Sequence, residues 1–259
     1  MRQSFAVLVL SCDKYSDVWP AFFKCFRENF PAGDWPVYLG SNTKECHEPG
    51  IVTVLSGSDP DWSTSYKRIL EQIPQKKIFV ILEDLFLSSK VNVDEFTALV
   101  KFMFEREVNH IKYWANPLPD LPTDNRLVGE YAKGAPFRST VCGLWDRDCL
   151  LSLLIEGENP WDFEIMGSYR TSYSDGFYTT TAPLCNYKNM IEKGRWIPAS
   201  VEWARTEGLA LELDKHSLPK RGRGFVSLIK MGYFDLMIHV PWRWRVALMN
   251  KLRRAFISY

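Results

Sequence analysis

The sequence predicts an α/β fold in which a mostly parallel central sheet is flanked by helices. Two continuous apolar runs, Phe5–Leu10 and 78–82, have the composition of strands buried on both faces. Strand and helix patterns alternate between residues 1 and 115, which is typical of βαβ units. In such sheets ligands bind at the carboxyl ends of the strands, so we expect a site there.

The elements of the first half follow in order from spacing and caps. They are predicted as a helix over 22–30, strands at 37–39 and Ile51–Leu55, a helix over 63–73, a strand at 78–82 and a helix over 92–103. Ser63 is the predicted cap of the second helix, which buries an i, i+3, i+4, i+7 stripe and ends at Pro74. Asn92 with Glu95 resembles a capping box at the start of the third.

The second half has weaker patterns. The predicted elements are a loop over 116–125, a strand at 140–145, a short helix over 148–155, a helix that starts at the Asn159-Pro160 cap, and a strand at 177–181. The run Phe5–Leu10 is too short to span a membrane, and no cleavage site follows it, so we expect neither a signal peptide nor a spanning segment. The six cysteines are scattered, as free thiols of a reducing cytoplasm would be.

Charge divides the chain into two predicted parts. Residues 1–219 hold 23 Lys and Arg against 30 Asp and Glu, a net charge of −7. Residues 220–259 hold nine Lys and Arg against one acid, Asp235, a net charge of +8. We therefore expect a ligand-binding domain over 1–219 and a basic extension over 220–259 with an anionic partner.

Several kinds of site are excluded by their absence from the sequence. There is no phosphate-binding Gly-x-x-x-x-Gly-Lys-Ser/Thr, no dinucleotide-binding Gly-x-Gly-x-x-Gly and no Gly-x-Ser-x-Gly nucleophile elbow. The four histidines do not fall at metal-ligand spacing. Zinc hydrolysis and nucleophile-elbow hydrolysis are therefore poor interpretations.

The first candidate site is Glu83-Asp84, directly after the apolar run 78–82. Two carboxylates at the carboxyl end of a central strand can hold Mg²⁺ or Mn²⁺, and the cation can then neutralise a diphosphate. The alternative is that both are solvated loop residues or cap the next element.

A second candidate lies in the segment 62–68. Its three hydroxyls, among them that of Ser63, offer donors to phosphate oxygens at a helix start. Lys67 and Arg68 add positive charge nearby. The alternative is a capped surface helix.

A third candidate is the segment 159–164, which combines tryptophan with acids. Trp161, together with Trp145, is a ring on which a sugar acceptor could stack, and Asp162 or Glu164 could act as a general base on an acceptor hydroxyl. Acids in the first turn of a helix are also favoured by the helix dipole, which is the alternative explanation.

A fourth, weaker motif is Lys193-Gly-Arg-Trp196. A glycine among basic residues lets the backbone approach a phosphate, and Arg195 can bind it with two hydrogen bonds. The alternative is a surface turn.

Taken in order, these segments resemble a known family. The ordered pieces are Ser11-Cys-Asp-Lys-Tyr15, Trp19-Pro-Ala-Phe-Phe23, Trp62-Ser63 with Lys67, Ile81-Leu-Glu-Asp-Leu-Phe-Leu87, Asn159-Pro-Trp-Asp-Phe-Glu164 and Lys193-Gly-Arg-Trp196. The set is similar to glycosyltransferases of bacterial capsule and lipopolysaccharide clusters, which have a GT-A-like nucleotide-sugar fold. The resemblance covers roughly residues 4–200 and rests on the order of the pieces, since each is short.

The resemblance implies a role for each segment. Ser11 and Asp13 would lie near the donor nucleotide, as would Ser63. Glu83-Asp84 would stand where the family carries Asp-x-Asp, although Leu85 occupies the position of the second aspartate. Because of that departure, either a divalent cation or basic residues such as Lys67, Arg68 and Arg195 would neutralise the leaving diphosphate. Asp162 or Glu164 would deprotonate the acceptor, and Lys193 and Arg195 would close over the diphosphate.

The predicted function is transfer of a sugar from a nucleotide-sugar donor to a hydroxyl of a glycan or lipid-linked glycan in surface polysaccharide biosynthesis. One base and one diphosphate site suffice for a single-displacement, inverting reaction, and no covalent nucleophile is identified. The alternatives are a sugar nucleotidyltransferase, against which the lack of a glycine-rich loop after the first strand counts, and a non-catalytic nucleotide- or glycan-binding protein of the same fold.

The extension ends in an amphipathic pattern after Pro241. At helical spacing one side carries Trp242, Val246, Met249, Leu252 and Phe256, with Arg245 at its edge and Arg253 intruding; the other side is mainly basic. Tryptophans with long basic chains are typical of interfacial helices, so we expect the tail to bind an anionic membrane surface. The predicted location is the cytoplasmic face of the inner membrane. The alternatives are a helix packed on the acidic body and nucleic-acid binding; no nucleic-acid motif supports the latter.

Overall fold

A computed structural model describes residues 4–30, 33, 35–216 and 239–256. Its helices are α1 (Trp19–Asn29), α2 (Trp62–Glu71), α3 (Val93–Glu105), α4 (Arg147–Leu153), α5 (Pro160–Arg170), α6 (Pro198–Thr206) and α7 (Trp242–Phe256). Its strands are β1 (Phe5–Leu10), β2 (Val37–Ser41), β3 (Ile51–Leu55), β4 (Lys77–Leu82), β5 (Leu85–Leu87), β6 (His110–Lys112), β7 (Leu121–Pro122), β8 (Val128–Glu130), β9 (Gly143–Asp146), β10 (Phe177–Thr180), β11 (Tyr187–Asn189), β12 (Ile191–Glu192) and β13 (Arg195–Trp196). A turn of 3₁₀ helix covers Asp13–Tyr15.

Nine of these strands form one sheet within the described part of the chain. Their order is β3-β2-β1-β4-β9-β6-β10-β8-β7. The neighbours β3, β2, β1 and β4 are all parallel, whereas β9 is antiparallel to both β4 and β6. Strand β10 is parallel to β6. The strands β1 to β4, β6 and β10 therefore end at the same edge of the sheet, called here the carboxyl edge, and the predicted fold class is confirmed.

The core lies on both faces of this sheet. Alternate residues of β1 point to opposite faces, because side chains alternate along a strand. Phe5, Val7 and Val9 pack in the cluster that contains α1 and α3, and the intervening residues pack with α2, α4 and Phe163 of α5. Burial on both faces explains why the central strands are continuous apolar runs.

Three predicted boundaries need correction. Asp61, not Ser63, caps α2, because its carboxylate accepts the Thr64 N–H and the helix already begins at Trp62. The strand predicted at 140–145 begins later, at Gly143, and ends at Asp146. The predicted loop 116–125 contains the short strand β7. The caps at Asn92 and Asn159 are confirmed by their hydrogen bonds to backbone N–H groups.

The C-terminal helix packs on the body of the protein. Arg245, at the edge of the predicted apolar face, is buried and forms an ion pair with Asp120. Asn250 accepts a hydrogen bond from the Tyr173 hydroxyl. The side chains of Met249, Leu252 and Phe256 lie outside the described residues, as does 217–238. The predicted division of the chain at 219 stays a prediction.

All six cysteines belong to the described residues and are free. None of the helices described here has both the length and the apolar character needed to cross a bilayer.

Candidate active site

The Glu83-Asp84 pair lies at the carboxyl edge of the sheet, in the tight connection between β4 and β5. The backbone carbonyl of Asp84 accepts the Met190 N–H at 2.8 Å, which ties this connection to the segment after β11. The Glu83 side chain is buried, and Asp84 is largely buried beside it. The carboxylate pair therefore stands where the sheet topology places ligands.

Neither carboxylate has a positive partner among the residues that the structure describes. Burial, followed by the charge of Asp84, raises the pKa of Glu83 well above its usual range, and burial raises the pKa of Asp84 to about 7. The Asp84 Oδ1 atom is buried without a hydrogen bond. No ion pair between described residues includes either acid. Two adjacent buried acids without a counter-charge form a site that a cation would stabilise.

Glu164 reaches the same edge from α5. Its Oε1 atom accepts the Val141 N–H at 3.1 Å, and Val141 lies just before β9, which starts beside the end of β4. Burial raises the pKa of Glu164, and the Val141 N–H and the charge of Lys112 offset only part of that rise. Burial raises the pKa of Tyr187, followed by the charges of Cys142 and Cys185 and then those of Glu164 and Asp84.

A hairpin carries the motif Lys193-Gly-Arg-Trp196 to this region. Strands β12 and β13 pair across Lys193 and Gly194, whose φ angles of 53° and 71° fit a type I′ turn. A Cβ atom added to Gly194 would lie 3.4 Å from Nζ of Lys14 and 4.0 Å from the hydroxyl of Tyr15. The tip of the hairpin therefore covers the loop after β1, with the exposed Lys193 and Arg195 at that end.

The loop after β1 adjoins the carboxylate pair. Burial, followed by the charge of Glu83, raises the pKa of Cys12 to about 11 and that of Tyr15 to about 12. Lys14 is exposed and lies over the Tyr15 ring, 5.6 Å from its centroid. The carboxyl edge therefore carries two kinds of charged group. Glu83 and Asp84 could bind a cation, and the exposed Lys14 and Lys193 could bind a phosphate.

Asp13 and Ser11 are held in structural hydrogen bonds at this edge. One Asp13 oxygen accepts the N–H groups of Asn42, Thr43 and Lys44 at 2.9–3.1 Å, which joins the loops after β1 and β2. These bonds lower the pKa of Asp13 although burial alone would raise it. The Ser11 hydroxyl accepts Nε1 of Trp19 at 2.8 Å. Both residues shape the edge, and their contact with a donor nucleotide stays a prediction.

The segment 62–68 is not an open phosphate site. Ser63 is buried, and its hydroxyl lies 2.7 Å from Oδ1 of Asp61 and 2.5 Å from the carbonyl of Ile155, so it has no donor left for a ligand. Arg68 donates to the carbonyls of Ser56 and Ser58 and braces the loop after β3. Lys67 is exposed. These hydrogen bonds favour the capped-helix alternative, and contact of Ser63, Lys67 or Arg68 with a donor stays a prediction.

Trp145 cannot bind an acceptor, because it belongs to the core. Its side chain is 0% exposed, its ring stacks on His110 with the centroids 3.8 Å apart, and its Nε1 donates to the carbonyl of Thr140. Trp161, in contrast, is exposed at the start of α5.

Asp162 does not join the acids of the carboxyl edge. It is exposed, and its carboxylate accepts from the Asn159 side-chain amide, which also caps α5. Glu164 therefore lies at the carboxyl edge beside Val141, whereas Asp162 is exposed beside Asn159. The role of either acid as the acceptor base stays a prediction.

The residues that sequence reasoning missed are those that line the edge from distant or short segments. Lys112 ends the three-residue strand β6 and is buried; burial lowers its pKa to about 8. His216 stacks on Tyr15 with the centroids 5.2 Å apart and pairs with Asp17, which lies 199 positions earlier in the chain. No periodicity or local motif marks contacts of this kind.

The described residues contain no cluster of three or more His, Cys, Asp or Glu that could hold a metal by itself. A cation at Glu83-Asp84 would need further oxygens, such as those of a bound diphosphate.

Comparison with known proteins identifies the fold. No protein-family model matches the chain, and no curated protein matches it in sequence. Among solved structures, the mannosyltransferase PcManGT from Pyrobaculum calidifontis, in complex with GDP-Man and Mn²⁺, aligns over 99% of this chain and 76% of its own with a TM-score of 0.50 and 11% identity. The sheet order and this similarity establish a GT-A-like fold.

Two further structures are similar at lower scores. TarS 1-349 from S. aureus in complex with UDP aligns over 71% of this chain and 59% of its own, with a TM-score of 0.46 and 10% identity. The glycosyltransferase GlyE from Streptococcus pneumoniae aligns over 67% and 44%, with a TM-score of 0.41 and 12% identity. The chain thus spans less than two thirds of the length of these two proteins.

Proposed function

We propose that the protein is a glycosyltransferase that moves a sugar from a nucleotide-sugar to a hydroxyl of a glycan or glycolipid. The observation that carries the proposal lies at the carboxyl edge of a GT-A-like sheet. The pair Glu83-Asp84 follows β4 beside the loop after β1, a basic hairpin covers that loop, and Glu164 of α5 accepts the Val141 N–H just before β9. These are the groups that a diphosphate leaving group and a proton-accepting base require.

In the proposed reaction, Glu164 accepts the proton of the acceptor hydroxyl. The acceptor oxygen forms a bond to the anomeric carbon of the sugar while the bond from that carbon to the phosphate oxygen breaks. The pair of electrons leaves with the nucleoside diphosphate, and Lys14, Lys193 and Arg195 stabilise its charge. Because one displacement suffices with one base, the reaction inverts the anomeric centre.

The fit of a divalent cation rests on the unpartnered Asp84 oxygen and on the two acids without a counter-charge. Glu83 and Asp84 would hold Mg²⁺ or Mn²⁺, both of which prefer carboxylate and phosphate oxygens. The cation would neutralise part of the diphosphate charge. If the enzyme works without a metal, the three basic residues of the hairpin and the β1 loop carry that role alone.

The finer part of the proposal is a role in surface polysaccharide synthesis, with a lipid-linked glycan as acceptor and the protein held at the cytoplasmic face of a membrane. Its support is the basic extension, which has nine Lys and Arg against one acid over 220–259. Each basic residue near an anionic surface is worth about 1 kcal/mol, so reversible attachment follows from a handful of them.

A panel of nucleotide-sugars tests the proposal. Thermal shift finds the donor first, because a ligand at 100 times its Kd stabilises by about 2.7 kcal/mol. Slow release of nucleoside diphosphate from that donor is the expected result. Formation of a nucleotide-sugar with release of pyrophosphate would instead identify a nucleotidyltransferase, and binding without turnover a non-catalytic protein. Full activity in excess EDTA would show that the carboxylate site works without a metal.

A further inference from the structure

The outward face of α5 is apolar, although it is turned to solvent. Trp161, Ile165 and Met166 are 58%, 51% and 47% exposed, while Phe163 and Gly167 on the opposite side are buried. Trp161 and Ile165 are four positions apart and thus form one row along the helix. Tyr169, four positions further along α5, continues this row and is 50% exposed, and Tyr173 is exposed in the turn that follows the helix. A solvated helix normally carries polar side chains at such positions.

A second exposed apolar pair lies on α7. Burial of Arg245 against Asp120 fixes the rotation of this helix on the body. Trp244 and Leu248, four positions apart, are then 72% and 47% exposed. Arg243 and Lys251 are exposed on either side of them.

The turn after α5 is hydrogen-bonded to α7, which brings the C-terminal end of α5 close to that helix. The Tyr173 hydroxyl, just beyond the end of α5, donates to the Asn250 side chain of α7. The apolar row of α5 therefore leads to the helix that carries Trp244 and Leu248. This surface, comprising the outward residues of α5 and α7, is called the α5–α7 face.

We propose that the α5–α7 face inserts into the interfacial layer of an anionic lipid bilayer. Tryptophan and tyrosine favour the headgroup level, and the aliphatic chains of Ile165, Met166 and Leu248 would enter the acyl boundary. The exposed Arg243 and Lys251, beside Trp244 and Leu248, supply charge complementarity to anionic lipid. Asp162, bound to Asn159, is the acid on the outward side of α5, at its first turn.

The inference deepens the proposed function, on which it rests for the nature of the acceptor. Glu164 belongs to the same helix and faces the carboxyl edge, so α5 would have one side at the reacting groups and the other at the bilayer. The sugar of a lipid-linked acceptor in that bilayer would then be separated from Glu164 by only the width of α5.

Vesicle co-sedimentation of the full-length protein tests the proposal. The vesicles contain phosphatidylcholine alone or with phosphatidylglycerol. The variant W161S/I165S/M166S removes the apolar row, and the matched control V52S/V93S/L118S removes three exposed apolar residues elsewhere. We expect the first variant to bind vesicles about tenfold more weakly, or worse, since each buried apolar chain contributes to insertion. The control should bind like the wild type.

Salt separates insertion from charge attraction. Binding through Arg243 and Lys251 is screened at high salt, whereas insertion of apolar chains is not. The variant R243Q/K251Q should therefore lose affinity mainly at low salt, and W161S/I165S/M166S should lose it at both. Equal binding by W161S/I165S/M166S and the wild type at high salt would overturn the proposal. So would a wild-type dimer that this variant converts to monomers without any loss of vesicle binding, because the face would then be a protein interface.

Donor hydrolysis in the absence of vesicles keeps the two proposals apart. The variant I165S/M166S, which keeps the candidate acceptor residue Trp161, should bind vesicles more weakly but hydrolyse the donor like the wild type, because neither residue lies at the carboxyl edge. If neither protein hydrolyses any donor while vesicle binding differs as expected, the proposed function fails and the α5–α7 face stands.

Discussion

Asp162 and Glu164 show how a two-residue difference decides where a side chain lies. Residues two positions apart on a helix are separated by about 200°, so they face opposite ways. Glu164 accepts the Val141 N–H at the carboxyl edge, and Asp162 is exposed beside Asn159. The sequence predicts that an acid of this segment is the base, but the choice between them depends on the rotation of α5, which packing of Phe163 sets.

Glu164→Gln should lower the transfer rate by about 10²- to 10⁴-fold, the usual cost of losing a general base. The amide keeps an oxygen for the Val141 N–H, so the fold should persist. Asp162→Asn is the matched control within the helix and should act within a few-fold of the wild type. Because the pKa of Glu164 is raised, the wild-type rate should rise with pH through that raised pKa. Equal rates for Glu164→Gln and the wild type would place the base elsewhere.

Asp84 gives a pH-dependent stability that can be worked out in sign. Its pKa is about 7 in the folded protein against 3.8 ordinarily, so the folded protein binds more protons between these values. The free energy of unfolding therefore falls as pH rises from about 4 to 7 and stays low above 7. Glu83, whose pKa is also raised, adds to the same slope.

Asp84→Asn should remove this fall in the free energy of unfolding between about pH 4 and 7, and it should also abolish turnover. We expect its melting temperature to match the wild type near pH 4 and to exceed it above pH 7, with Mg²⁺ or Mn²⁺ and the donor stabilising the wild type only. Asp124→Asn, a change at an exposed acid, is the control for charge alone. Wild-type turnover in Asp84→Asn would exclude a role for this carboxylate in the reaction.

At the scale of elements, length decided what could be predicted. The sequence predicts β1 and β4 from their continuous apolar runs. It predicts α1, α2 and α3 from the helical spacing of their apolar residues. Strands β6, β8 and β11 have three residues each and are held by pairing with partners far along the chain, whereas β12 and β13 have two residues each and pair with one another in a hairpin. Trp145 was misjudged for a related reason: the sequence shows a tryptophan in a strand but not that both faces of the sheet are covered.

The β12–β13 hairpin should act on donor binding rather than on stability. Lys193→Ala and Arg195→Ala remove exposed charges at its tip. Each should weaken donor binding about tenfold, because a hydrogen bond to a charged group contributes about 1.5–3 kcal/mol. Lys101→Ala, a change at an exposed lysine of α3, should leave donor binding unchanged. Donor Kd from thermal shift and melting temperature without ligand are the two measurements. A fall in melting temperature with unchanged Kd would assign the hairpin a structural role.

At the scale of the whole molecule, the sequence predicts the sheet and the carboxylates but not the long-range contacts that close the structure. Asp17 and His216 are 199 positions apart, and Asp120 and Arg245 are 125 apart. Neither pair belongs to a periodic pattern, and a lone histidine or an arginine at the edge of an apolar face has no local sign of its partner. The strand β9 likewise reverses direction between β4 and β6, which alternation alone does not indicate.

The Arg245–Asp120 ion pair tests how the C-terminal helix is held. Both side chains are buried, and Asp120 also accepts the Ala132 N–H. Removal of one partner of such a pair costs about 3–5 kcal/mol when the other charge stays buried. In Arg245→Met, however, undocking of α7 would return Asp120 to water, so the loss cannot exceed the free energy that docks the helix. We therefore expect local release of α7, measured as faster hydrogen exchange over 242–256, with only a small fall in melting temperature.

The double variant Arg245→Met/Asp120→Asn removes the unpaired charge and keeps an acceptor for the Ala132 N–H. It should recover part of the protection of α7 against hydrogen exchange. If α7 exchanges as slowly in Arg245→Met as in the wild type, packing rather than this pair holds the helix, and the exposure of Trp244 and Leu248 would then need a different origin.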